Sequence, residues 1–213
     1  MRSEEFPRSE CQPAVTITGE YLAQHPRSFD ICLHDGRWVR VRPIVPTDKD
    51  ALERALERLG AKSRDFRFHA DVQRLTEDQL RYLTEVDQRN HVAWSVFALE
   101  EPGRPGVATV RFVRDAADPA EAEVAITIVD DYQGIGLGRI LLDTILLSAL
   151  EGGVERLVGY VVPENRIAIN LFQSLGADSG EIEGGMLRMV IPVTNDRRRF
   201  RRSGEVPRQM VEA

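Results

Sequence analysis

The sequence predicts an α/β (α+β) domain with a mixed, mostly antiparallel central sheet flanked by helices. Three observations predict it. Strand-like segments flank turn-forming residues at His34-Asp35-Gly36, at Glu101-Pro-Gly-Arg-Pro-Gly106 and at Gly184-Gly185, which is how antiparallel hairpins are punctuated. A long apolar segment of helical length, Leu137 to Glu151, separates two other strand segments, and such a crossover makes those two strands parallel and right-handed. The stretch that leads into this helix, Asp130-Asp131-Tyr132-Gln133-Gly134-Ile135-Gly136-Leu137-Gly138-Arg139, carries glycine at every second position from 134 to 138.

In chain order, residues 1 to about 27 mix prolines with charges and read as a loose arm, although Val15 to Ile17 could pair at an edge. Phe29 to Leu33 and Trp38 to Arg42 form the first hairpin, with Val39 and Val41 inward and Trp38, Arg40 and Arg42 outward. Pro46-Thr47 opens a helix that carries Leu52, Ala55 and Leu59 and stops at Gly60, with Thr47 as its cap. A second helix lies around Ser63 to His69, and a third starts with the capping pair Thr76 and Gln79. Phe66, Phe68 and Tyr82 on these helices are expected in the core, the alternative being that they line the entrance of an acceptor substrate. Three strands follow, His91 to Leu99, Val107 to Val113 and Glu121 to Val129. After the glycine-led helix come a strand, Val154 to Val162, a helix, Asn165 to Leu175, and a closing hairpin from Asp178 to Ile191. The domain is thus 28–193, and 194–213 is a basic, disordered tail containing Arg197-Arg198-Arg199-Phe200-Arg201-Arg202. A nucleic-acid-binding role for that run is the weaker alternative to a solvated tail.

Composition bounds the class. A length of 213 residues suits one ordinary domain, and 42% hydrophobic with 29% charged residues is the balance of a globular protein in water. A net charge of −6 argues against nucleic acid as the main partner. No apolar run approaches a membrane span, and Met1 to Glu10 lack the apolar core of a signal peptide. Cys11 and Cys32 are read as unpaired thiols in a reducing cytoplasm, with a bond between them as the alternative. The scattered histidines indicate no metal site.

The glycine stretch carries the chemistry. Glycines permit positive φ, and a helix N-terminus turns N–H groups toward an anion, so a diphosphate is the fitting guest; a ligand-free turn is the bland alternative. A dinucleotide fingerprint would need glycine where Arg139 stands, and the Gly-Lys-Ser/Thr of a P-loop is absent. What remains is Gln-x-x-Gly-x-Gly, Gln133 to Gly138. Here the sequence resembles the GNAT acyltransferase superfamily. A second motif, Asn165-Arg-Ile-Ala168-Ile-Asn-Leu171-Phe172-Gln-Ser-Leu-Gly176, resembles that family's Asn-x-x-Ala-x-x-Leu-Tyr-x-x-x-Gly at Asn165, Ala168, Leu171 and Gly176.

The resemblance implies acetyl-CoA as co-substrate, held in a cleft where the parallel strand pair splays. It assigns the diphosphate to the amides of Gln133, Gly134, Ile135, Gly136, Leu137, Gly138 and Arg139, and the pantetheine to Ile128, Val129, Asn165 and Ala168. Asn165 serves equally as a helix cap. Within the family the sequence is most similar to the bacterial protein lysine acetyltransferases, through Val41-Arg-Pro-Ile-Val-Pro-Thr47, Leu75 to Leu83 and Glu123. That implies an amine or protein-lysine acceptor, with Glu123 as the base and Glu121 in reserve; an exposed strand carboxylate is the alternative for each. Many such relatives carry a further domain, for which the arm before residue 28 has no room. A homodimer is compatible with the chain. Phe172 stands where the family has a tyrosine acid and has no proton to give, which leaves Tyr160 and Tyr132 as candidates and admits a non-catalytic acyl-CoA-binding module.

Overall fold

The computed structural model describes residues 28–68 and 74–194. β1 (Phe29–Cys32) and β2 (Trp38–Pro43) form the first hairpin, followed by a 3-10 turn at Pro46–Asp48. Three short helices come next: α1 (Lys49–Glu57), α2 (Ala61–Phe68) and α3 (Glu77–Thr84). Then follow β3 (His91–Ala98), β4 (Gly106–Arg114), β5 (Glu121–Ile128), α4 (Leu137–Glu151), β6 (Arg156–Val161) and α5 (Arg166–Ser174). β7 (Asp178–Glu183) and β8 (Met186–Pro192) close the domain. The eight strands make one sheet in the order β1-β2-β3-β4-β5-β6-β8-β7, and only β5 and β6 are parallel. The mostly antiparallel sheet read from the sequence is therefore present, element by element. The N-terminal arm, Val15 to Ile17 and the basic run Arg197 to Arg202 fall outside the described residues.

Two layers cover the sheet. α4 is apolar around most of its circumference, and Leu141, Leu142 and Ile145 are fully buried, as expected of a helix enclosed on several sides. Each such side chain contributes on the order of 2 kcal/mol. It packs across β3, β4 and β5, and Trp94 Nε1 donates to Ser148 Oγ at 3.2 Å, so the face of β3 that carries Trp94 is the α4 face. The opposite face lies under α1 to α3, where buried Arg111 donates to the Leu83 carbonyl at 3.1 Å.

Three local expectations are corrected. Asp48, not Thr47, holds the N-cap position of α1, without a side-chain bond to the helix, because the 3-10 turn Pro46–Asp48 precedes the helix. Its buried carboxylate accepts from Arg42 at 2.6 and 2.8 Å and from the Val45 N–H at 2.9 Å. Tyr82 is 57% exposed, its ring tilted 45° against that of His91 with centroids 5.0 Å apart, rather than packed in the core. Cys32 is disulfide-bonded rather than a free thiol, and Cys11, the other cysteine of the chain, lies outside the described residues. The capping box of α3 forms as read: Gln79 N–H donates to Thr76 Oγ1 at 3.2 Å and Thr76 N–H to Gln79 Oε1 at 2.8 Å.

Candidate active site

The site begins with the hydrogen-bonding phase of β5. Val129 N–H donates to the Val107 carbonyl at 2.9 Å, and Asp115 N–H to the Glu121 carbonyl at 2.9 Å. Both bonds extend the register that pairs Ala108 with Ile128 and Arg114 with Ala122. In an antiparallel ladder alternate residues turn both main-chain groups to the same neighbour. Glu121, Glu123, Ala125, Thr127 and Val129 therefore turn theirs to β4, whereas Val124, Ile126 and Ile128 turn theirs toward β6. β6 meets β5 only at Glu121, Ala122 and Glu123, opposite Arg156, Leu157 and Val158. Beyond these pairs the strands separate, and the N–H groups of Ile126 and Ile128 face the gap. Ile128 fits the pantetheine assignment; Val129 does not, because its amide is committed to β4. Ile126 was missed from sequence, since residue types do not reveal the phase of a ladder.

At the head of the gap the chain makes a 3-10 turn, Asp130–Tyr132, and enters α4. Gly134 has φ 74° and Gly136 has φ 92°, left-handed values that favour glycine. Alternating left- and right-handed residues make a concave nest of amides. No described residue accepts from the N–H groups of Gly134, Ile135, Gly136, Leu137 or Gly138. A Cβ on Gly136 would stand 2.9 Å from His34 Cε1, and one on Gly138 3.0 Å from Leu171 Cδ2, so a larger residue at either position would crowd a neighbouring side chain. Five consecutive amides at a helix N-terminus suit a diphosphate in number and polarity. Gln133 and Arg139, assigned to the same ligand from sequence, are otherwise engaged. The Gln133 and Arg139 amides donate to Asp130 at 3.1 Å and Gly136 at 3.2 Å. The Gln133 side chain latches the loop, donating to the Ile128 carbonyl at 3.0 Å and Ser63 Oγ at 3.2 Å. The Arg139 guanidinium binds Asp143 at 2.9 Å. Burial pushes the Asp143 carboxyl up to about 6, and Arg139 opposes it.

Paired residues share a face, so Glu121, Glu123 and Thr127 lie on the Arg111 side of the sheet. Glu123 is exposed and no described residue donates to it. Glu121, the reserve base of the sequence reading, is paired: it accepts from Arg188 at 2.9 and 3.0 Å and lies 3.4 Å from Arg156. Among the described residues the nearest histidine on this face is His91, paired with Val113, which pairs in turn with Glu123. Burial, then the charge of Arg111, hold it near a value of about 4 against the pull of Asp87, and its Nε2 lies 3.2 Å from Arg111 Nη1. It is a neutral acceptor there. Among the described residues no three His, Cys, Asp or Glu side chains could hold a metal ion.

Asn165 caps α5, its Oδ1 accepting from the Ala168 N–H at 3.1 Å; its Nδ2 donor remains, so the cap and the pantetheine assignment coexist. Phe172 is 2% exposed and packs on β6 so closely that a Cβ on Gly159 would stand 2.2 Å from its ring. Tyr132 is no proton donor for the gap. Its hydroxyl donates to Glu101 at 2.7 Å under the Arg37 guanidinium, 3.9 Å from the ring centroid. Burial, then the Glu101 bond, pushes its phenol up to about 12.

A splayed strand pair headed by an amide nest, with a helix cap at its mouth, can be set beside known proteins. Residues 60–177 match the acetyltransferase (GNAT) family. The chain belongs to that family. It is 32% identical over 163 residues to Acetyltransferase Pat of Mycolicibacterium smegmatis, across 76% of this chain and 48% of that protein. It is 28% identical over 144 residues to Acetyltransferase PA5475 of Pseudomonas aeruginosa, across 68% of this chain and 77% of that one. The crystal structure of the GNAT domain of S. lividans PAT superposes with a TM-score of 0.72 at 31% identity, covering 78% of this chain and 96% of that one. The chain spans about half the length of the Mycolicibacterium relative. No helix among the described residues is long and apolar enough to cross a membrane.

Proposed function

We propose that this GNAT domain transfers an acyl group, acetyl in the first instance, from coenzyme A directly to a primary amine, with protein lysine as the acceptor class. The observation that carries the proposal is the gap beyond Glu123 and Val158, which leaves the Ile126 and Ile128 amides open beneath the unpaired amides of Gly134 to Gly138. The nest takes the diphosphate, the strand edge takes the pantetheine, and the Ile126 N–H polarises the thioester carbonyl. A lysine amine with a pKa near ~10.4 arrives protonated at neutral pH and needs a base. Glu123 supplies it, as the exposed carboxylate on this face that is not tied to arginine, and the net charge of −6 favours a cationic acceptor. Glu123→Gln should lower turnover of acetyl-CoA with a lysine-bearing acceptor by about 10²–10⁴-fold, while calorimetric titration gives an unaltered acetyl-CoA affinity. Wild-type turnover in that variant removes Glu123 from the role.

A second reading, a non-catalytic acyl-CoA-binding module, draws on Phe172. Release of free thiol from acetyl-CoA in the presence of amines separates the two, since a module of that kind binds acetyl-CoA without releasing thiol.

A further inference from the structure

Direct transfer ends with a thiolate, and the residue at the family's tyrosine position, Phe172, cannot protonate it. The chain has four tyrosines. Tyr21 lies outside the described residues, Tyr132 is committed to Glu101, and Tyr82 lies against His91 of β3, beyond β4 from the gap. Tyr160 differs from all of these in place. It stands on β6 two residues past Val158, the last residue paired with β5. The Val193 N–H donates to the Glu155 carbonyl at 2.8 Å, so the alternate residues Leu157, Gly159 and Val161 turn their main chain to β8. Val158 and Tyr160 turn theirs toward the gap. Tyr160 shares a sheet face with Val158 and hence with Glu123. It lies about 7 Å along the neighbouring strand from the level of that carboxylate.

We propose that Tyr160 is the acid that protonates the departing thiolate, opposite Glu123 across the gap. The assignment rests on the transferase function proposed above. Glu123 first takes the ammonium proton and passes it to solvent; the freed amine lone pair then forms a bond to the thioester carbon, and Glu123 takes the second nitrogen proton. The C–S bond then breaks, the sulfur keeps the electron pair, and the Tyr160 hydroxyl gives it a proton. Water reprotonates the half-buried phenolate, and Glu123 returns its proton to solvent, so that amine and acetyl-CoA become amide and free thiol. Arg188 is the positioning residue. It pairs with Tyr160 across β6 and β8, and its guanidinium is held by Glu121 at 2.9 Å. Its charge is stabilised first by the Glu121 hydrogen bond and also by contact with Tyr160. A guanidinium can only donate to the phenol oxygen, which leaves the O–H free to point at sulfur and stabilises the phenolate once the proton has gone.

The test is Tyr160→Phe, assayed for thiol release across pH with acetyl-CoA and a lysine-bearing peptide. The expected result is a kcat lower by roughly 10²-fold, toward the low end for acid–base catalysis because thiolates leave readily. Acetyl-CoA affinity should hold. The substitution leaves in place the charged groups of this face, among them Arg111, Glu121, Glu123, Arg156 and Arg188. Adding Phe172→Tyr, which restores a phenol at the family position, should recover turnover. Unchanged kcat in Tyr160→Phe, or a loss matched by weaker acetyl-CoA binding, overturns the assignment. Wild-type activity in the same assay separates the two proposals: absent thiol release removes the transferase function, whereas wild-type release with an unaffected variant removes Tyr160 alone.

Discussion

The two edges of β5 are built from alternate residues of one strand and do opposite things. Toward β4 the strand is paired from Ala122 to Ile128 without a register shift. Toward β6 it is paired at Glu121 to Glu123 and then released. The first edge contributes the ladder hydrogen bonds, each worth about 1 kcal/mol net. The second keeps N–H groups that a ligand must satisfy. Binding capacity thus arises where regular pairing stops, and the glycine nest continues the same row of unsatisfied donors around the corner into α4.

Neighbouring prolines break this comparison most severely. Thr127→Pro removes an N–H bonded to β4 and should cost about 3 kcal/mol or more in urea unfolding. Ile126→Pro removes an N–H turned to the gap, spares that ladder, and should lose mainly half-buried packing, about 1–2 kcal/mol. It should nevertheless weaken acetyl-CoA binding. Equal destabilisation of the two variants would mean that the edges are not distinct.

A smaller effect comes from the packed side. Asp143 is fully buried on α4, and its carboxyl is raised from 3.8 to about 6. Because the native value is the higher one, the folded protein holds this proton where the unfolded chain has lost it. The contribution is therefore complete at pH below the ordinary value and disappears as pH rises through about 6. The difference amounts to at most about 3 kcal/mol. Asp143→Asn should flatten the decline of the urea midpoint across that window without altering acetyl-CoA affinity. A decline that persists in the variant would place its origin elsewhere.

Much of this was legible in the chain. The limits of α4, Leu137 and Glu151, coincide with its apolar run, and the Asp35-Gly36 and Gly184-Gly185 turns sit where the hairpins close. The glycine spacing identified the nest because φ is a local property. The ladder phase was not legible: a shift of one residue decides whether Val129 or Ile126 offers its amide, and only the hydrogen bond to Val107 settles it. Nor could Glu121 be told from Glu123 by type. What separates them is Arg156 and Arg188, 35 and 67 positions away.

The central claim is met most directly by amide hydrogen exchange, followed by NMR with and without coenzyme A. Saturating ligand should add protection at Gly134 to Gly138, Ile126 and Ile128, with no change at Ala125, Thr127 and Val129, which β4 already protects. New protection at Thr127 and Val129, with Gly134 to Gly138 still exchanging freely, would contradict it.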